Sequence, residues 1–229
     1  MTGEKRAVAS KGKKAVCLFS GGLDSATVLY YALDRGYNVA CLTIDYGQRH
    51  KREIEAARLI ARRLHLKHKI IAIDMSWGGS ALTDRSIKVP QRTRALKAGS
   101  IPPTYVPARN IIFLALAFSW AEVIGAEAVF IGVNQLDYSG YPDCRGEFLR
   151  AFEKAIRCGT KRGVERRAIK IATPLLDLTK KEIALLARKL DVPVQLTWSC
   201  YAGGKVPCGR CDACLLREKG FREAQGMKA

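Results

Sequence analysis

Two groups of residues stand out by type and spacing. The first is Ser20-Gly21-Gly22-Leu23-Asp24-Ser25. Paired glycines let the backbone turn sharply and approach a ligand closely. A helix starting just after them presents free N–H groups and a partial positive charge, which suits phosphate. Ser20 and Ser25 add hydroxyl donors, and Asp24 offers a hard oxygen suited to magnesium. Two glycines alone read as a plain turn with a serine cap. The whole string, set between a strand and a helix, reads as a phosphate loop. It lacks G-K-[ST], which disfavours kinase or GTPase chemistry.

The second group is Cys200-x7-Cys208-x2-Cys211-x2-Cys214. Four thiolates with C-x2-C steps suit one tetrahedral zinc, and Gly203, Gly204 and Gly209 permit tight turns. An iron–sulfur cluster or a redox C-x-x-C pair are the alternatives. A closed four-cysteine zinc site has no position for water, so its expected role is structural. The other four of the eight cysteines are Cys17 and Cys41 in apolar runs and the isolated Cys144 and Cys158.

The elements that must position these groups alternate. Ala15–Phe19, Val39–Ile44, Lys69–Ile73, Ala128–Val133 and Ile169–Thr173 read as strands. Ser25–Arg35, Glu53–Leu64, Arg109–Ile124, Gly146–Arg157 and Thr179–Leu190 read as helices. Such alternation predicts an α/β fold: a Rossmann-like parallel sheet with helices on both faces, plus a C-terminal four-cysteine zinc-binding subdomain. The expected division is a basic tail at 1–14, a nucleotide-binding α/β domain at 15–195, and a zinc-binding region at 196–229 packed on it. Ligands of such sheets sit beyond the carboxyl ends of the strands. Ser20–Ser25, Asp45–His50 and Asn134–Arg145 should therefore converge. The long Ser76–Tyr105 segment, without periodicity, is expected to act as a lid.

With 229 residues the chain has room for one α/β domain and not for an added glutaminase. No apolar run reaches the roughly 18 residues of a membrane span. The start of the chain, polar and basic, lacks the apolar core of a secretory signal. A cytoplasmic protein is expected. Lys and Arg total 39 against 21 acidic residues, a net charge of +18. That excess fits anionic substrates or nucleic acid, and its dispersal along the chain favours neither.

The S-G-G-x-D-S string resembles the pyrophosphate loop of the ATP-pyrophosphatase superfamily. Further strings narrow the resemblance: Asp45-Tyr46-Gly47-Gln48-Arg49-His50, Tyr105-Val106-Pro107-Ala108-Arg109-Asn110, Asp137–Arg145, and Thr197–Tyr201 leading into the cysteines. From about Ala15 to Arg217 the chain resembles the 7-cyano-7-deazaguanine synthase family. Gly146 departs from it, where proline is expected in D-C-R-P-E-F; this loosens a helix start.

The resemblance implies ATP with magnesium held by Leu18, Phe19, Ser20, Gly21, Gly22, Leu23, Asp24, Ser25, Ala26 and Thr27. It implies catalytic roles for Ser20 and Asp24, and for a lysine in Pro174–Glu182, assigned to Lys181 over the neighbouring Lys180. Substrate contacts are expected from Gln48, Arg109, Asn110, Asp137, Tyr138, Asp143 and Arg145. Asp137 or Asp143 would accept from a deazapurine edge, Tyr138 or Tyr141 would stack, and Arg109 or Arg145 would hold a carboxylate or phosphates. Cys200, Cys208, Cys211 and Cys214 would hold one zinc. Cys144 is a candidate nucleophile, and His50 is either a proton shuttle or a helix-start residue.

The implied reaction has two rounds. ATP adenylates the carboxylate of 7-carboxy-7-deazaguanine and ammonia displaces AMP. A second ATP then adenylates the amide oxygen, and loss of AMP leaves the nitrile. A homodimer is implied, with ammonia taken free and no direct nucleic-acid binding. The alternatives are a tRNA-modifying enzyme of the same superfamily, a paralogue stopping at the amide, and a zinc-containing nucleotide-binding regulator.

Overall fold

The apolar run after the N-terminal lysines forms the central strand, because it is buried on both faces. A computed structural model describes residues 12–91, 100–136 and 140–226. β1 (Lys14–Leu18) leads into α1 (Leu23–Asp34), β2 (Asn38–Asp45), α2 (Arg52–Arg63) and β3 (Lys67–Ala72). After a long connection come α3 (Arg109–Ile124) and β4 (Ala128–Phe130). α4 (Gly146–Gly159), a short α5 (Lys161–Val164), β5 (Lys170–Ala172), α6 (Lys180–Lys189) and α7 (Asp212–Ala224) follow.

The five strands form one parallel sheet in the order β3-β2-β1-β4-β5. Two apolar layers cover its faces. One contains Val16, Leu42, Leu114, Phe118 and Val129; the other contains Cys17, Phe19, Leu29, Ile60 and Ile183. The alternation of Val16 and Cys17 between layers is the period-two pleat of a strand buried on both sides. Strand order reverses between β1 and β4, which opens a crevice at their carboxyl ends.

The expected β4 was longer, to Val133. It stops at Phe130 because Gly132 lies against the start of α1. A Cβ there would come 3.1 Å from the Ser25 nitrogen. Residues from Val192 onward, read as irregular, include α7. Its Gly220 packs on α6, where a Cβ would lie 2.8 Å from the Lys180 carbonyl oxygen.

The expected lid is largely anchored. Met75, Ser80 and Ala81 are buried, and the Arg49 guanidinium donates to the carbonyls of Ala81, Asp84 and Ile87. Residues 92–99, its centre, lie outside the described residues. No described helix is long and apolar enough to cross a membrane.

Candidate active site

The glycine loop sits where β1 hands over to α1. Gly21 takes φ +87°, and a Cβ on it would lie 2.2 Å from the Glu53 carbonyl oxygen and 2.6 Å from the Ala57 nitrogen. Only glycine lets this turn settle against α2. Ser20 and Ser25 hydroxyls lie 3.0 Å apart, and the Gly22 N–H donates to Ser20 Oγ at 3.2 Å. Gly22 caps α1 without a side-chain bond, which leaves the first helical N–H groups to a ligand. The Trp198 N–H donates to the Gly21 carbonyl at 3.0 Å, so the C-terminal region braces the loop.

The loop opens into a cavity of about 240 Å³. Leu18, Phe19, Ser20, Gly22, Leu23, Asp24 and Ser25 line it. Gly21 does not face it, being packed on α2. Ala26 and Thr27 do not either: they are fully buried one turn into α1, with Thr27 Oγ1 donating to the Leu23 carbonyl at 2.8 Å.

The cavity holds Lys180 and not Lys181, the lysine expected from the sequence. Lys181 is exposed on α6, whereas Lys180 is 8% exposed, lines the cavity, and places Nζ 2.6 Å from Asp24 Oδ2. The helix register decides this. Thr179 and Glu182 form a reciprocal capping box, which makes Lys180 the first helical residue and aims it at α1. Each residue turns a helix by about 100°, so its neighbour points to water.

Arg217, missed in the sequence, reaches the same end of the cavity from α7. It is held by donation to Thr197 Oγ1 (2.7 Å), Ser199 Oγ (3.2 Å) and the Val194 carbonyl (2.7 Å). Two cations therefore gather beside Asp24, where phosphate charge would sit.

The opposite end is more apolar. Leu42, Ile44, Tyr46, Phe113, Ile131, Val133, Tyr141 and Cys144 line it. The Arg109 guanidinium lies 6.0 Å from both the Tyr46 and Phe113 ring centres. Burial works against its charge, but Tyr46, Cys144, Asp143 and Tyr141 around it raise its pKa overall, so it stays protonated. Gln48 lines the cavity with Oε1 accepting the Tyr46 N–H at 2.8 Å.

Asn110 also lines it, but its side chain donates to the Asp143 carbonyl (3.1 Å) and to Cys144 Sγ (3.3 Å). Asp143 does not reach the cavity: its carboxylate accepts the Asn110 N–H at 3.0 Å and caps the start of α3. Arg145 is exposed ahead of α4 and outside the cavity. Asp137 and Tyr138 lie outside the described residues. Burial pushes the Cys144 thiol up to about 12, which disfavours it as a nucleophile.

Glu53 was read only as a helix residue. It lines the cavity from the first turn of α2, and burial raises its carboxyl to about 7 against the opposing pull of Arg109. A perturbed E-R pair this far apart in sequence leaves no linear signature.

Beside the cavity, the sulfurs of Cys200, Cys208, Cys211 and Cys214 all lie within 4.8 Å of one another. A tetrahedron with Zn–S bonds of about 2.3 Å needs sulfurs about 3.8 Å apart, so modest contraction would satisfy it. The N–H groups of Ala202 and Cys208 point at Cys200 Sγ, at 3.4 and 3.3 Å, as they would to stabilise a thiolate. His50 sits against this lobe: a Cβ on Gly203 would lie 2.3 Å from the His50 Cβ.

Residues 14–225 match the model of the family described as queuosine biosynthesis protein QueC. A 7-cyano-7-deazaguanine synthase of Picrophilus torridus is 56% identical over 212 residues, covering 92% of this chain and 88% of that one. One of Acetivibrio thermocellus is 55% identical over 213 residues, covering 93% and 94%. Among solved structures, a 4-thiouridine synthetase–RNA complex with bound ATP superposes with a TM-score of 0.52 at 21% identity, over 91% of this chain and 53% of that one. That likeness shows a shared fold. The family match spans nearly the whole described chain and agrees with the cavity built above; the chain belongs to the QueC family.

Proposed function

We propose that this chain is a 7-cyano-7-deazaguanine synthase: an ATP-dependent ligase that turns 7-carboxy-7-deazaguanine and ammonia into the nitrile by two successive adenylations. One observation carries the reading. A single cavity joins the helix start after the glycine loop, flanked by Lys180 and Arg217, to an end lined by the aromatic rings of Tyr46 and Phe113 and by Arg109. ATP phosphates fit the first end and a planar, anionic heterocycle fits the second. Close relatives over nine-tenths of the chain bear that enzyme's name.

In this reading the loop N–H groups, Ser20 and Ser25 bind the pyrophosphate. Lys180 and Arg217 offset the charge that builds as it leaves. Asp24 would hold magnesium, which supplies further charge neutralisation when bound. Arg109 orients the substrate carboxylate at the α-phosphorus, and the apolar wall keeps water from the activated carboxyl. The four cysteines would hold zinc, which fixes the fold of the C-terminal region.

A homodimer belongs to the same proposal. Ile111, Ala115, Ser119 and Val123 form an exposed stripe at four-residue spacing along α3, narrow enough for a second helix to approach.

The test is mass spectrometry of the product from 7-carboxy-7-deazaguanine, ATP, magnesium and ammonium. A nitrile with two AMP per turnover supports the proposal. An amide alone points to a paralogue that stops halfway. No conversion by folded, zinc-loaded protein refutes it.

A further inference from the structure

Every proton-transfer step of the proposed reaction needs a base. Ammonium must lose a proton before its nitrogen can attack the acyl adenylate. The amide nitrogen must later lose both of its protons to become a nitrile. Adenylation of the carboxylate needs no base, since that oxygen is already ionised. The chemistry therefore divides into base-free attacks on the α-phosphorus and base-dependent steps at nitrogen.

Among the described residues, two carboxylates line the cavity, Asp24 and Glu53. Asp24 is ion-paired with Lys180 at 2.6 Å, at the phosphate end. Burial holds the phenols of Tyr46 and Tyr141 and the thiol of Cys144 in their protonated forms at neutral pH. Tyr201 is hydrogen-bonded with Tyr141. No histidine lines the cavity. Glu53 is well placed instead. Its backbone is fixed by the close fit of its carbonyl on Gly21, between the loop and the aromatic end. The charged and titratable groups acting on it are Arg109 from α3 and Tyr46 beyond β2.

We propose that Glu53 is the general base of the nitrogen chemistry: it binds ammonium and takes its proton, and later takes the N–H protons of the amide. This rests on the reaction proposed above. In the first round, the proton passes to the Glu53 carboxylate, which releases it to solvent before the second round, and the freed nitrogen pair forms the C–N bond. The C–O bond to AMP then breaks, its electron pair leaves with AMP, and the adduct's surplus proton goes to solvent.

In the second round, the amide oxygen attacks the α-phosphorus and pyrophosphate departs. Glu53 takes one N–H proton, giving a neutral imidate adenylate, and passes it to solvent. It then takes the second proton as the nitrogen pair closes the C≡N bond and AMP leaves. A carboxyl raised to about 7 is ionised for part of the population at neutral pH and is a stronger base than an ordinary glutamate.

The experiment compares full-length wild type, Glu53→Gln and Glu53→Asp. Three readouts are taken: ATP–pyrophosphate exchange with 7-carboxy-7-deazaguanine without ammonium, amide formation with ammonium, and nitrile formation from the synthetic amide. Exchange in E53Q should stay within about 3-fold of wild type, while both nitrogen steps fall about 10²- to 10⁴-fold, the range for losing a general base. E53D should recover part of the loss. The wild-type rate of nitrile formation from amide should rise with pH through about 7, and E53Q should lose that limb.

Nitrile formation within 3-fold of wild type in E53Q would overturn the proposal. So would equal loss of exchange and nitrogen steps, which marks a structural role. If E53Q does not fold, E53D and the wild-type pH profile decide, and a flat profile overturns it. Wild type without exchange would instead refute the underlying reaction.

Discussion

Removing the Glu53 charge should make the protein more stable and, at high pH only, by a predictable amount. Glutamine keeps the shape of the side chain and resembles the protonated acid. Burial raises the Glu53 carboxyl from 4.5 to about 7, partly opposed by Arg109. An acid with a raised pKa in the folded state binds its proton more tightly when folded. Its favourable contribution is complete below about 4.5 and is lost as the pH climbs through about 7.

A displacement of that size corresponds to about 3 kcal/mol, lowered to about 2 kcal/mol by the partial solvent access of the site. E53Q and wild type should therefore unfold at similar urea concentrations near pH 4.5. By pH 8.5, E53Q should be more stable by about 2 kcal/mol. Urea titrations across that range, with unchanged slopes, measure the difference directly. A stability difference independent of pH, or a wild type more stable than E53Q at pH 8.5, would refute the reasoning. Lower stability in the functional form is the trade expected where a charge is kept poorly solvated for chemistry.

Lys180→Met should lower kcat about 10²- to 10³-fold, as does loss of one donor to a developing charge, whereas Lys181→Met should change it less than 2-fold in the same AMP-release assay. Gly21→Ala should destabilise the protein by about 2–4 kcal/mol, because the new methyl meets the Glu53 carbonyl and the left-handed φ is strained; thermal unfolding reads this. Cys144→Ala should retain turnover within about 5-fold and show no covalent adduct by intact-mass spectrometry, since a thiol near 12 is not ionised at neutral pH. If the four cysteines hold zinc as proposed, its chelation should abolish ATP–pyrophosphate exchange before the far-ultraviolet spectrum of the sheet collapses, because Trp198 bonds to the loop, and Arg217 reaches the cavity, from the C-terminal region.

Local patterns made the scaffold legible in the sequence. Apolar runs marked β1 and β2, and α3 falls on Arg109–Ile124, as its long apolar run predicts. The glycine loop and the cysteines were legible because each is contiguous and chemically unusual. What stayed hidden depends on orientation or on distant contacts. Lys180 and Lys181 are alike in sequence and are separated only by the register that Thr179 and Glu182 impose. α7 was obscured because Gly220 weakens a helical pattern, and its reason, close packing on Lys180, is tertiary. Arg217 followed from α7. Asp143 looked like a substrate ligand because a carboxylate in a polar loop gives no hint that it caps a helix 33 residues earlier. Glu53 resembled any acidic residue in a first helical turn.

The bond from Trp198 to Gly21 also has a consequence for how the enzyme is born. Chains emerge N-terminus first, and the phosphate loop is among the earliest segments out. Its braces, Lys180 and Trp198, lie more than 150 residues later in the chain. A nascent chain can therefore assemble much of its sheet while its ATP site is still open and incomplete. The loop gains its brace from Trp198 only after about nine-tenths of its sheet and helices have emerged, so a chain cut short before Trp198 should hold ATP less well.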